Sequence, residues 1–117
     1  MNHIETGKRG EQIAVDDLAG RGYLILARNV RMKGGEIDIV VRDPRGPIAI
    51  VEVKTRSSTR FGTGAEAITP VKYARLRRLA GQWLRENPQR CEARIDVVSI
   101  LLDGHRYTLE HIEGVLP

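Results

Sequence analysis

The sequence predicts an α/β fold with a mixed central sheet flanked by helices, in the order helix, three strands, helix, strand and a further strand. Three observations carry that prediction. An apolar stripe of helical period runs through the first twenty residues, three strand-like segments are joined by two short turns, and a second amphipathic helix is long enough to recross the sheet.

Thr6 can cap the first helix, which continues to about Ala19 with Gly20 and Gly22 as stop signals. Its inward stripe is Glu11, Ala14, Val15 and Leu18, at i, i+3, i+4 and i+7. Glu11 is the misfit in that stripe. Tyr23 to Arg31 reads as a strand, and the Gly34-Gly35 turn leads into a second, Glu36 to Arg42. The turn DPRGP delivers the chain into a third strand, Ile48 to Arg56, so the three form an antiparallel meander.

After the loop SSTRFGTG, Thr69 and Pro70 supply an N-cap and a first-turn proline. The helix they open buries Leu76, Leu79, Ala80, Trp83 and Leu84 and stops before Pro88; its outer face carries Lys72, Arg75, Arg78, Gln82 and Arg85. Arg94 to Leu102 is a fourth strand, apolar on both sides, and Arg106 to Leu116 a more exposed fifth. A crossover helix of this length lets the fourth strand lie parallel to the third.

A chain of 117 residues is the length of one compact domain. No apolar run approaches the ~18 residues of a membrane span, and the first twenty residues lack the apolar core of a signal peptide, so the expectation is a cytoplasmic protein with no membrane partner. Cys91 is the sole cysteine, and neither it nor His3, His105 and His111 has the close spacing of a zinc site. The net charge of +4 and a pI near 9.6 agree with a polyanionic partner without requiring one.

The informative charges lie inside the predicted sheet. Residues two apart on a strand share a face, so Glu52 and Lys54 point the same way as Ile48 and Ile50 in the segment IAIVEVKTR. Asp38, between Ile37 and Ile39, shares its face with Glu36 and Val40. If these faces align, cross-strand neighbours stand about 5 Å apart and Asp38 meets Glu52. Adjacent buried carboxylates repel, and tolerating them takes protonation, a cationic partner or a metal ion. Magnesium suits the pair, because it takes hard oxygen ligands, needs only one or two carboxylates and leaves its other positions to water and phosphate. Lys54 would stand beside that ion, to stabilise charge on a transition state or to position and deprotonate water. Glu11 could reach the same cluster. Taken singly, a Glu-x-Lys is more often a solvated or ion-paired strand end; the combination with Asp38 is what points to chemistry.

The segments GKRGEQIA (7–14), GGEIDIVVRD (34–43), VEVKTR (51–56), AITPVK (67–72) and RIDVVSI (94–100) together resemble the bacterial family known as YraN or UPF0102 over nearly the whole chain. That family in turn resembles the PD-(D/E)xK nucleases, particularly the archaeal Holliday-junction resolvases, which implies a restriction-endonuclease-like core. Carried over by motif, the acidic residue of the second strand falls on Asp38, the E-x-K on Glu52 and Lys54, and the first-helix glutamate on Glu11; Ile37-Asp38 replaces the proline and aspartate of the motif's name. The resemblance implies a site in which Asp38 and Glu52 bind magnesium or manganese and a phosphodiester bond of duplex or branched DNA is hydrolysed.

Lys33, Arg56, Arg60 and Lys72 lie on loops or at a helix start near the expected site and are candidates to contact a nucleic-acid backbone. Arg75, Arg78 and Arg85 read more simply as a solvated helix face. With Phe61 and Tyr73 the only aromatics near the site, a base-stacking platform for single strands is not supported. Asp96 reads as structural, paired with an arginine. A binding module without chemistry is the alternative function, and RNA cleavage a third reading. A resolvase cuts two strands symmetrically, which favours a homodimer; the last strand could pair at a sheet edge.

Overall fold

The structure, a computed structural model, describes residues 3–57, 68–89 and 91–116. Helix α1 (His3–Gly20) precedes strands β1 (Leu24–Met32), β2 (Gly35–Arg42) and β3 (Ile48–Arg56); helix α2 (Pro70–Glu86) then leads to β4 (Ala93–Asp103) and β5 (Arg106–Ile112). The strands form one sheet in the order β1-β2-β3-β4-β5. Every neighbouring pair is antiparallel except β3 and β4, which run parallel, as a crossover through α2 requires. The fold is the expected α/β arrangement, a mixed sheet with a helix on each face, consistent with a restriction-endonuclease-like core. Among the described residues no helix is long and apolar enough to cross a membrane.

Two apolar layers hold the helices to the sheet. Ala14 and Leu18 of α1 pack on Ile39, Val41, Ala49, Val51, Val98 and Ile100. Leu76, Leu79, Ala80 and Trp83 of α2 pack on Val40, Ile48, Ile50, Ile95 and Val97. The central strands β3 and β4 are covered on both faces, which is why their sequences are apolar at consecutive positions. Burying a side chain such as Leu18 or Ile50 contributes about 1.5–3 kcal/mol, and these two layers are where the fold gains most.

Three details differ from expectation. Helix α1 starts by His3, so Thr6 lies inside the helix and does not cap it. No proline or glycine precedes Thr6 to stop the helix, and Glu5 in the first turn favours it by facing the positive end of the dipole. Strand β5 ends at Ile112, because the Gly114 amide donates to the Asp96 carboxylate and the Val115 amide to the Ile95 carbonyl, which draws the chain out of the ladder.

The third difference concerns β2. Val40 faces α2 while Ile39 and Val41 face α1, as alternation demands, yet Ile37 joins the layer under α2. Alternation therefore breaks at Asp38. The break coincides with the last paired positions of the β2–β3 ladder, Ile39 and Val51. Beyond them the Val53 amide donates to the Asp38 carboxylate at 2.9 Å, so a side chain takes over where the main-chain ladder stops.

Candidate active site

The end of the sheet where β2 and β3 part collects the charges that the sequence singles out. Asp38 stands one step beyond the last β2–β3 pair, next to Glu52. Glu52, 13% exposed, is held by two ammonium groups, Lys72 at 3.1 Å and Lys54 at 3.4 Å. Glu11 comes from α1 and borders the same cleft as Asp38, near enough for each carboxyl to act on the other. Asp38 thus draws its carboxylate partner from one helix while Glu52 draws a lysine from the other.

Each contact has a local cause. Lys72 occupies the first turn of α2, which Thr69 caps by accepting from the Lys72 amide at 3.1 Å, with Pro70 fixing the first helical φ. That turn contains no acidic residue, so Lys72 opposes the helix dipole and Glu52 supplies the compensation. Glu11 is brought close by its neighbour Gly10: a Cβ there would lie 1.8 Å from Thr55 Oγ1 and 2.8 Å from Thr55 Cβ, so only glycine lets α1 approach β3. A cleft of about 410 Å³ results, lined by Thr6, Lys8, Glu11, Asp38, Val53 and Lys54.

The electrostatics are unbalanced. Burial first, and then the neighbouring Glu52 charge, push the Asp38 carboxyl up to about 7, against the opposing pull of the Val53 amide. Glu11 is raised too, by burial and then by Glu36. Lys54 is lowered by burial, then by contact with Lys72, while Glu52 acts in the other direction. Both lysines pair with Glu52, and among the described residues Asp38 makes no ion pair.

Among the described residues, no group of three or more His, Cys, Asp or Glu side chains is placed to hold a metal ion. The donor set is smaller: two hard carboxylates, Asp38 and Glu52, of which the first has no ion-pair partner among the described residues. That set fits magnesium, which needs one or two carboxylates, and does not fit zinc.

The four candidates Glu11, Asp38, Glu52 and Lys54 therefore come together, and Lys72 joins them as a half-buried partner of Glu52. Arg56 follows Lys54 at the end of β3. Lys33 lies away from the carboxylates, beside α2. Arg60 and Phe61 lie outside the described residues. Sequence reasoning missed Gly10, although a glycine inside a helical pattern signals a close approach.

A separate network occupies the other end of the sheet. Asp96, fully buried, accepts from Arg94 at 2.9 Å, from the Gly114 amide at 2.9 Å, and meets His111 Nε2 at 2.8 Å. Asp43, 1% exposed, pairs with Arg45 at 2.6 Å and Arg94 at 2.9 Å. Asp96 is thus arginine-paired as expected. A cavity of about 890 Å³ opens nearby, lined by Arg42, Arg45, Cys91 and Arg94. Arg45 and Arg94 are matched by Asp43, Asp96 and Glu113, and Arg42 by Gly46 and Gln89, so this larger space has no comparable imbalance.

The sequence model of the family described as "Uncharacterised protein family UPF0102" matches residues 10–100, most of the chain. The chain belongs to the UPF0102 family. UPF0102 proteins similar to it include one from Mycolicibacterium gilvum, 54% identical over 112 residues covering 93% of this chain and 91% of the relative. One from Mycolicibacterium vanbaalenii is 49% identical over 116 residues, 97% and 95% of the two chains. One from Trichlorobacter lovleyi is 47% identical over 108 residues, 91% and 85% of the two. The matched segment contains Glu11, Asp38, Glu52, Lys54 and Lys72, the whole of the cluster in this UPF0102 chain.

Proposed function

We propose that this chain is a metal-dependent endonuclease hydrolysing phosphodiester bonds in DNA, with branched duplex as the favoured substrate. The observation that carries the reading is the half-buried Asp38 carboxylate, set beside Glu52 and Glu11 with an amide donor and, among the described residues, no ion-pair partner, while Lys54 borders the same cleft. A fold does not retain such a group for stability, since an apolar residue there would cost less.

In this reading Asp38 and Glu52 would hold magnesium or manganese, which when bound neutralises phosphate charge and makes water a better nucleophile. Lys54, its ammonium destabilised by burial and by Lys72, orients the attacking water and can accept its proton. Lys72 fixes Glu52 and presents its charge, together with the first amides of α2, to a phosphate oxygen. Glu11 accepts a hydrogen bond from the water or from Asp38 and keeps the latter in place.

The second reading, a DNA-binding module without chemistry, draws on the small donor set. The two separate in a cleavage assay on four-way junction, flap, nicked and linear duplex DNA with magnesium or manganese. Metal-dependent cutting that falls at least ~100-fold in Lys54→Ala is the expected result. Salt-sensitive binding by both proteins with no cutting by either favours the binding module.

A further inference from the structure

The outer face of α2, read from the sequence as a solvated surface, is one wall of a groove. The β1–β2 turn leans against α2 because residue 35 is glycine: a Cβ there would stand 3.1 Å from Leu79 Cδ1 and 3.8 Å from Arg75 Cδ. This approach sets Lys33 opposite Arg75, Arg78 and Arg85, with Arg77 alongside, and encloses about 380 Å³. The lining holds five cations and, among the described residues, no carboxylate. By contrast, Arg45 and Arg94 are matched by Asp43, Asp96 and Glu113, and Lys54 and Lys72 by Glu52.

We propose that this groove is a second nucleic-acid contact, a track for the sugar-phosphate backbone of a duplex that runs along α2 away from the carboxylate cluster. Lys72, Arg75, Arg78, Gln82 and Arg85 follow one another at intervals of three or four, so they form one stripe down the helix. The stripe begins at the lysine that holds Glu52. From Arg75 to Arg85 it covers about 15 Å at 1.5 Å per residue, the axial span of roughly four phosphates in one strand of a duplex. Guanidinium forks match phosphate oxygens, and among the described residues the groove offers no aromatic ring on which an unpaired base could stack, which favours a duplex backbone over a single strand. An acidic protein segment is the competing occupant. The regular spacing of like charges, uninterrupted by an apolar anchor, fits a uniform polyanion better. The proposal rests on the phosphodiesterase reading only for what happens at the Lys72 end.

The test is binding without divalent metal, so that it stands apart from cleavage. A fluorescent 25-base-pair duplex is titrated with wild type and with the Arg75→Gln/Arg78→Gln/Arg85→Gln variant between 50 and 200 mM salt. The expected result is an affinity at least ~10-fold weaker at 100 mM and a log–log salt slope smaller by between two and three, as three lost phosphate contacts require. These arginines are exposed, so the variant keeps its circular dichroism and melting; Arg85→Glu alone is the reserve variant and lowers the affinity in the same direction. Where cleavage is seen, the triple variant raises KM with kcat near wild type. Unchanged affinity and slope overturn the track. So does a poly-glutamate peptide that binds wild type more tightly than the duplex at equal salt. If no cutting is found but the triple variant loses binding, the endonuclease reading falls and the groove stands.

Discussion

Asp38 and Glu52 show how one difference in surroundings gives neighbouring carboxylates different chemistry. Glu52 has two lysines, while Asp38 has the Val53 amide and the repulsion of Glu52 and Glu11. Its ionised form is the strained one. Asp38→Asn removes that repulsion and keeps an oxygen to accept from Val53, so at pH 8 the variant melts several degrees higher than wild type, a gain on the order of 1 kcal/mol. Millimolar magnesium raises the melting temperature of wild type and leaves Asp38→Asn where it was, because an ion that binds only the folded state stabilises it through the carboxylate it needs. A thermal-shift titration reads both effects. An equal magnesium response in the two proteins would remove Asp38 from the proposed metal site.

At the scale of elements, the position of Glu11 depends on how closely α1 lies on β3. Gly10 makes no conformational demand that alanine could not meet in a helix, where alanine would gain about 0.5–1 kcal/mol. Its reason is spatial, since Thr55 occupies the place a Cβ would need. Gly10→Ala therefore costs about 1–3 kcal/mol through overpacking and lifts Glu11 away from Asp38. Adding Thr55→Gly to it frees the space and restores much of the loss. Chemical denaturation of the single and double variants measures this; a single variant as stable as wild type would mean that α1 shifts freely and that its approach does not set the site.

Across the whole molecule, the two ends of the sheet respond to pH in opposite directions. At the β4 start, Arg45 and then Arg94 hold the Asp43 carboxyl well below the usual range. Burial pulls Asp96 upward, but hydrogen bonds from His111, Arg94 and the Gly114 amide outweigh it and leave it lowered. Carboxyls depressed in the fold contribute stability that is present above their unfolded value near 3.8 and is lost as pH falls below it. Asp38, raised to about 7, does the reverse: its contribution is complete below pH 4 and disappears as pH rises through 7. Stability is therefore highest near pH 4, falling along an acid limb below it and along a neutral limb as pH rises from 4 to about 7. Melting curves from pH 3 to 9 test the shape. Asp38→Asn should flatten the neutral limb and leave the acid limb intact; a neutral limb that persists in that variant would assign the decline to another group.

Local periodicity determined the order of helices and strands, the two-sided burial of β3 and β4, and the shared face of Glu52 and Lys54, because periods of 2 and 3.6 are properties of the chain itself. The convergence of Glu11, Asp38, Glu52 and Lys54 was legible for the same reason: charges at positions the pattern reserves for apolar residues must be brought to a common place or left unpaired. Other features depend on distances between elements far apart in sequence. The break of β2 at Asp38 needs the ladder to end at Ile39 and Val51, and Lys72 becomes a partner of Glu52 only when α2 begins over β3. Gly10 against Thr55 and Gly35 against Leu79 set how closely the helices lie, and the latter turns an arginine-rich face into a groove. Such contacts follow from packing in three dimensions, which no periodicity along the chain encodes, and so the tertiary structure alone decided them.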